Sequence, residues 1–227
     1  MVWDGAMRAV IFDLDDTLID QSSAARAASI GWGRGHGLGG SDEELATSWS
    51  TIATPHYRRY QRREVTFAEQ RRARVREFLP HLDLAGDEAA DDAFGGYLEL
   101  YEAGWTCYPD AVPALRRVRE AGLLAAILTN GEHAHQRLKL ELMGLTDEVD
   151  EMFTSDQFPL GKPDPAPFLG TCSALGIEPG EALMVGDSLV ADVEGALGAG
   201  LDAVLLDRHD AHPAVSPRIR SLEELKL

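Results

Sequence analysis

The sequence predicts an α/β protein: a doubly wound parallel sheet of the Rossmann-like kind with an α-helical domain inserted into it. Three observations carry this. Short apolar runs ending in polar residues alternate with helical patterns, one interval between strand ends is far longer than the others, and that interval carries helical spacing with no convincing buried strand. Strands alternating with helices imply parallel pairing covered on both faces.

Ala9-Val10-Ile11-Phe12 is a continuous apolar run closed by Asp13, as expected of a buried strand whose end emerges at a sheet edge. The pattern recurs at residues 123–128 before Thr129-Asn130-Gly131, at 182–185 before Gly186-Asp187, and at 203–206 before Asp207. Helical spacing covers residues 112–121, 132–143, 165–175 and 189–199. Such sheets form sites at the carboxyl ends of their strands, where these polar residues fall. Asp13 and Thr129 are 116 positions apart, whereas Thr129 to Lys162 spans 33 and Lys162 to Asp187 spans 25. One strand-helix-strand unit takes about 30 residues. A strand is therefore expected ahead of Lys162, and the long first interval reads as an insertion.

Within it, Leu45, Trp49 and Ile52 fit one helix face, and Phe94, Tyr97, Leu98, Tyr101 and Trp105 fit another. The expected division is a core of residues 1–20 and 106–227 with a helical cap of residues 21–105. Six glycines among residues 31–40 are expected to form a loop between two insertion helices. Residues 1–7 read as a short frayed leader, with Trp3 as its one ordering anchor. No internal repeat is present.

Acidic residues number 38 against 21 Lys plus Arg, a formal charge of −17, which opposes binding to nucleic acid or anionic membranes. Cys107 and Cys172 have no CxxC spacing, which excludes a cysteine zinc site, fits a reducing compartment and makes both read as small buried hydrophobes. No apolar run is long enough to cross a bilayer, and Asp4 interrupts the stretch a signal peptide would need. A cytoplasmic location is expected.

Asp13-Leu14-Asp15-Asp16-Thr17 places two carboxylates two residues apart at a strand end, pointing the same way. At about 4 Å and an effective dielectric near 20 their repulsion is about 4 kcal/mol, which calls for a cation or a shared proton. Magnesium suits such an oxygen-only site; the plain alternative is a solvated acidic turn. Asp187 and Asp192, in Gly186-Asp187-Ser188-Leu189-Val190-Ala191-Asp192, are candidates for the same ion or its waters. Ser188 also suits a helix cap there. Thr129-Asn130-Gly131 offers a hydroxyl and backbone N–H groups to an anion. Lys162 sits in a loop stiffened by Pro163 and Pro165. Acid, hydroxyl, lysine and acid recur in this order along the chain.

Together, Asp13-x-Asp15-x-Thr17, Thr129, Lys162 with Pro163-Asp164-Pro165, and Gly186-Asp187-Ser188-x-x-x-Asp192 resemble the four motifs of the haloacid dehalogenase-like hydrolases. The inserted helices resemble that superfamily's small cap. By this resemblance Asp13 is the nucleophile of a phosphatase, forming an aspartyl phosphate. Asp15 protonates the leaving oxygen and then activates water. Thr129 hydrogen-bonds the phosphoryl oxygens and Lys162 neutralises them. Thr17, Asn130 and Gly131 are expected at the substrate; Asp13, the Asp15 carbonyl, Asp187 and Asp192 are expected at Mg2+. The dehalogenases of the superfamily lack an acid two residues after the nucleophile, so Asp15 favours phosphate chemistry. Thr129-Asn130-Gly131 with Gln136 and Leu138-Lys139-Leu140 resembles phosphatases of nucleoside monophosphates or sugar phosphates. The substrate expected is thus a small phosphorylated metabolite. A phosphomutase shares every motif, and a phosphate-sensing module with a receiver-like pocket is the competitor from another class.

Residues 57–76 hold eight arginines and two glutamates, a local charge of +6. These either attract an anionic substrate, with Arg72 and Arg74 as candidates, or form an exposed helix whose arginines cover apolar surface and pair with acids. His133 and His135 fall in the first turn after the Thr129 loop, as partly exposed helix residues or acid–base groups.

Overall fold

The computed structural model describes residues 7–227, so the expected leader lies outside them except for Met7. Elements run β1 (Ala9–Phe12), α1 (Gln21–Gly35), α2 (Asp42–Gln61), α3 (Phe67–Phe78), α4 (Asp87–Ala103), α5 (Ala111–Glu120) and β2 (Leu124–Thr129). After these come α6 (His133–Leu142), β3 (Glu151–Thr154), α7 (Pro165–Leu175), β4 (Ala182–Gly186), α8 (Gly195–Gly198), β5 (Asp202–Leu206) and β6 (Arg218–Ile219). The chain divides into two compact units, one of Met1–Asp20 with Cys107–Leu227 and one of Gln21–Thr106.

In the first unit the six strands form one sheet in the order β3-β2-β1-β4-β5-β6, and every pairing is parallel. Strand β1 is central: Ile11 is in register with Ala126 on one side and Met184 on the other. Connections run outward in opposite directions from the β1–β4 junction, and such a reversal opens a crevice beyond the strands' carboxyl ends.

All four residues of β1 are fully buried, and alternate side chains serve opposite faces. Ile11, Ala126, Leu128, Met184 and Leu205 pack with Phe168 and Cys172 of α7 and with Val193 and Ala196. Burying an aliphatic or aromatic side chain of this kind contributes about 1.5–3 kcal/mol, so the sheet is a rigid base for the polar residues beyond it. Ile19 and Cys107 form an isolated antiparallel bridge, so the chain leaves and re-enters this unit at adjacent points.

Three local expectations are corrected. Strand β3 does precede Lys162, but it is a short edge strand of four residues with Glu151 at its start. Lys162 lies eight positions past its end, after a turn at Ser155–Gln157, rather than at a strand end. The helix expected at residues 189–199 opens as a wide π-helical turn, Leu189–Glu194, and only then becomes α8. Both Asp192 N and Val193 N donate to Ser188 O there, and such turns occur often at functional sites. Cys172 is buried as expected, but Cys107 is only half-buried, with its thiol 3.7 Å from Met143 O.

The second unit consists of four helices. Capping boxes at Ser41/Glu44 and Thr66/Glu69 start α2 and α3. Its core is aromatic: Trp32 stacks on Phe78 with ring centres 5.4 Å apart, and Trp49 lies 4.5 Å from Tyr97. Leu45, Phe94, Tyr97, Tyr101 and Trp105 are buried, while Ile52 and Leu98 are half-buried. The glycine-rich loop is shorter than expected, because Gly31, Gly33 and Gly35 belong to α1. A Cβ on Gly33 would stand only 3.4 Å from Leu38 and Phe78, so tertiary packing overrides low helix propensity. Most cap arginines follow the plainer reading. Arg72 pairs with Asp87 and Asp91, Arg76 with Asp87 and Arg59 with Glu64. Arg71 lies 4.0 Å from the Phe67 ring centre, and Arg74 lies 4.4 Å from that of Trp49. Among the described residues no helix is long and apolar enough to cross a membrane.

Candidate active site

Asp13 continues the sheet one residue past β1, its N–H donating to Val185 O at 2.9 Å. This fixes the carboxylate, 7 % exposed, beside the end of β4. The Lys162 ammonium donates to Asp13 Oδ1 at 2.7 Å, Asp192 Oδ1 at 2.5 Å and Leu128 O at 2.7 Å. Its loop is clamped by one amide, since Asn130 Oδ1 accepts from Lys162 N and Asn130 Nδ2 donates to Lys162 O, both at 2.8 Å.

Asp187 follows β4 and shares a hydroxyl with the first motif. Its N–H donates to Thr17 Oγ1 at 3.1 Å, and that hydroxyl is 3.3 Å from Asp187 Oδ1. The second Asp192 oxygen accepts from Ser188 N at 3.0 Å. This carboxylate fills the space a Cβ on Gly186 would take, which requires glycine at the close approach. Asp13, Asp187 and Asp192 each offer an oxygen within 4.8 Å of the others. Three carboxylates and one ammonium leave the cluster net negative. Oxygen-only donors of this kind fit a hard divalent cation such as Mg2+.

The crowding shows in the electrostatics. Burial pushes the Asp13 carboxyl well above the usual range; Lys162 opposes this, and Asp192, Asp187 and Asp15 add to it. Burial, then Asp192 and Asp16, push Asp187 up to about 7. Burial alone would lower the Lys162 ammonium, but Asp13 and Asp192 raise it above the ordinary lysine value. The lysine is therefore a fixed positive charge beside Asp13.

Asp15 stands apart from the three-carboxylate group. Its Oδ1 accepts from Lys139 Nζ at 2.5 Å and its Oδ2 from Gln136 Nε2 at 3.0 Å. Gln136 Nε2 also donates to Thr129 Oγ1 at 2.7 Å. The turn after Asp15 places Asp16 at φ 59°, left-handed backbone that aspartate tolerates better than most side chains.

The arrangement brings Asp13, Lys162, Asp187 and Asp192 into one cluster, with Asp15 and Thr129 joined through Gln136. Three residues expected at the substrate also make contacts within the protein. The Thr17 hydroxyl is buried on Asp187, the Asn130 side chain holds the Lys162 backbone, and Gly131 N donates to Ser155 Oγ at 3.1 Å. Each thereby supports a neighbour in the site. His133 is half-buried with Nδ1 3.1 Å from Thr154 Oγ1, and His135 N is capped by Glu132.

Sequence reasoning missed a second network. Arg208 forks onto both Asp110 oxygens at 2.9 Å, donates to Thr17 O at 2.9 Å, and lies 3.8 Å from the Tyr108 ring centre. Asp110 also accepts from Ser221 Oγ and Leu222 N. Its only sequence signal is an acid at a helix start and an arginine just after a strand.

The profile of the haloacid dehalogenase-like hydrolases matches residues 7–200. The chain belongs to this family. It is 31 % identical to a phosphoserine phosphatase of Thermus thermophilus, over 94 % of this hydrolase and 95 % of that protein. It is 33 % identical to a ribulose-1,5-bisphosphate 5-phosphatase of Halopiger xanaduensis, over 95 % and 91 %. An (S)-2-haloacid dehalogenase of Pseudomonas is 29 % identical over 89 % and 85 %. Among solved structures, a HAD phosphatase from Thermococcus onnurineus is 32 % identical with a TM-score of 0.67, covering 96 % and 95 %. The magnesium-bound HAD-hydrolase YfnB from Bacillus subtilis has a TM-score of 0.81 at 24 % identity, covering 97 % of each chain, a likeness of fold.

Proposed function

We propose that this phosphoric monoester hydrolase is a Mg2+-dependent phosphatase of a small phosphorylated metabolite, with Asp13 as nucleophile. The observation that carries the reading is Asp15, a second carboxylate two residues beyond the nucleophile. A departing alkoxide needs a proton, whereas a halide does not, so Asp15 favours phosphate esters over the dehalogenation named for some relatives. Relatives named for phosphoserine, ribulose bisphosphate and glyceraldehyde 3-phosphate support the substrate class.

In the first step an Asp13 oxygen attacks phosphorus, the bond to the leaving oxygen breaks, and Asp15 gives that oxygen its proton. In the second, water attacks the phosphoaspartate, Asp15 takes the water's proton, and the bond to Asp13 breaks to release inorganic phosphate. Lys162 places positive charge where phosphoryl charge develops, and Thr129 donates its hydroxyl hydrogen to a phosphoryl oxygen. Asp13, Asp187 and the Asp15 carbonyl would hold Mg2+, which when bound supplies further positive charge to those oxygens. Both Asp192 oxygens already accept hydrogen bonds, which suits it to orienting Lys162 and the rim of the metal site.

The test is Asp13→Asn with a panel of phosphometabolites, with and without Mg2+, following inorganic phosphate. Loss of turnover with the fold retained is expected. Turnover by Asp13→Asn, or an isomerised phosphate ester as product in place of inorganic phosphate, would overturn the assignment.

A further inference from the structure

Helix α6 carries two buried polar side chains, Gln136 and Lys139, 2 % and 1 % exposed. Three residues apart, they share one helix face. An ammonium so buried is costly to keep unless a carboxylate pairs with it, and Lys139 pairs with Asp15 Oδ1. Gln136 uses both hydrogens of one nitrogen, one on Asp15 Oδ2 and the other on Thr129 Oγ1. Both oxygens of Asp15 therefore accept from α6. The Thr129 hydroxyl also accepts from α6, which leaves its own hydrogen to be donated elsewhere. Gly131 fits the same scheme, because a Cβ there would stand 2.7 Å from Gln136 Cγ and 2.9 Å from its Cδ. The glycine admits the glutamine.

We propose that Lys139 and Gln136 are positioning residues for the proton shuttle. They fix the direction of the Asp15 carboxylate and the polarity of the Thr129 hydroxyl, so that the group moving the proton and the group binding the phosphoryl oxygen share one helix-borne frame. The inference rests on the reading of Asp13 as nucleophile and Asp15 as acid and base. It competes with a simpler role, in which Lys139 only neutralises a buried acid and steadies the fold.

The two roles separate in steady-state kinetics of the full chain with Mg2+ and two probes, p-nitrophenyl phosphate and glycerol 3-phosphate. The aryl group departs without a proton, so with Lys139→Met its first step proceeds while water activation is slowed. For that ester kcat and KM should fall by the same factor, about 10–100, leaving kcat/KM nearly unchanged. For the alkyl ester kcat/KM itself should fall by about that factor, since its first step needs the proton. In an Asp15→Asn background, Lys139→Met should lower kcat on the aryl ester by less than about twofold, because the residue it acts through is gone. Equal losses of kcat/KM on both esters, or the same loss with and without Asp15, would overturn the proposal. If circular dichroism shows Lys139→Met unfolded, Gln136→Met carries the test, with the same split expected and an unselective loss overturning it. Retained turnover by Asp13→Asn would strike the underlying reading instead, and is distinguishable on that ground.

Discussion

The two units bury polar groups in opposite ways. In the first, Asp13, Asp110, Lys139, Lys162, Asp192 and Asp207 are buried, and each is held in an ion pair. In the helical insertion, the buried polar residues among those described are Ser29 and Gln70, and the ion pairs lie at exposed carboxylates such as Asp87 and Asp91. Removing one partner of a buried pair leaves a stranded charge, whereas an exposed pair contributes little. The first unit thus depends on the identity of a few side chains. The insertion depends on volume and shape, chiefly of Trp32, Trp49, Phe78, Phe94 and Tyr97.

Substitutions test this contrast in order of expected effect. Asp13→Asn should lower turnover on the order of 10⁵-fold while thermal denaturation shows no loss of stability, because Lys162 keeps its pair with Asp192 and crowding among the carboxylates falls. Trp49→Ala should destabilise by about 3–5 kcal/mol through the cavity it leaves, with early proteolytic cleavage confined to residues 21–106. Arg208→Met should cost about 3 kcal/mol in urea denaturation by stranding Asp110; a neutral result would break the contrast at its main point.

A pH series sharpens it further. Burial pushes the Asp207 carboxyl up, but the His212 and Ala211 amides and the Arg218 guanidinium outweigh it and hold it down at about 2. The unfolded value is about 3.9. The stability it confers is full above about pH 4 and is lost as pH falls toward about 2. The gap in urea midpoint between the wild type and Asp207→Asn should close across that window. The smallest effect belongs to Arg72→Ala. Its two exposed partners regain water, and the urea midpoint should not move measurably.

The strands at the centre of the sheet were legible because they are buried on both faces, as at Ala9–Phe12, where a continuous apolar run leaves little choice. Strand β3 was expected only from the spacing ahead of Lys162, and β6 not at all, since an edge strand of four residues or fewer carries too short a pattern of its own. The polar residues beyond β1, β2 and β4 were legible from position, because a parallel sheet gathers its strand ends. The partners of those residues were not. Lys139 and Gln136 sit on a helix 121 or more residues from Asp15 in sequence, and only folding shows which acid a buried lysine meets. Thr17, Asn130 and Gly131 carry a role that their place beside a motif did not show: each holds a neighbouring group in place. Glycines 31, 33 and 35 suggested a loop by composition, but all three lie in α1, and close packing against Leu38 and Phe78 accounts for Gly33 alone.

The bridge between Ile19 and Cys107 makes the inserted helices a detachable module. A turn of a few residues would rejoin the sheet, and an exchanged insertion would meet the same two stubs. Such a replacement would exchange one contiguous block, residues 21–106, and leave the sequence of all six strands untouched.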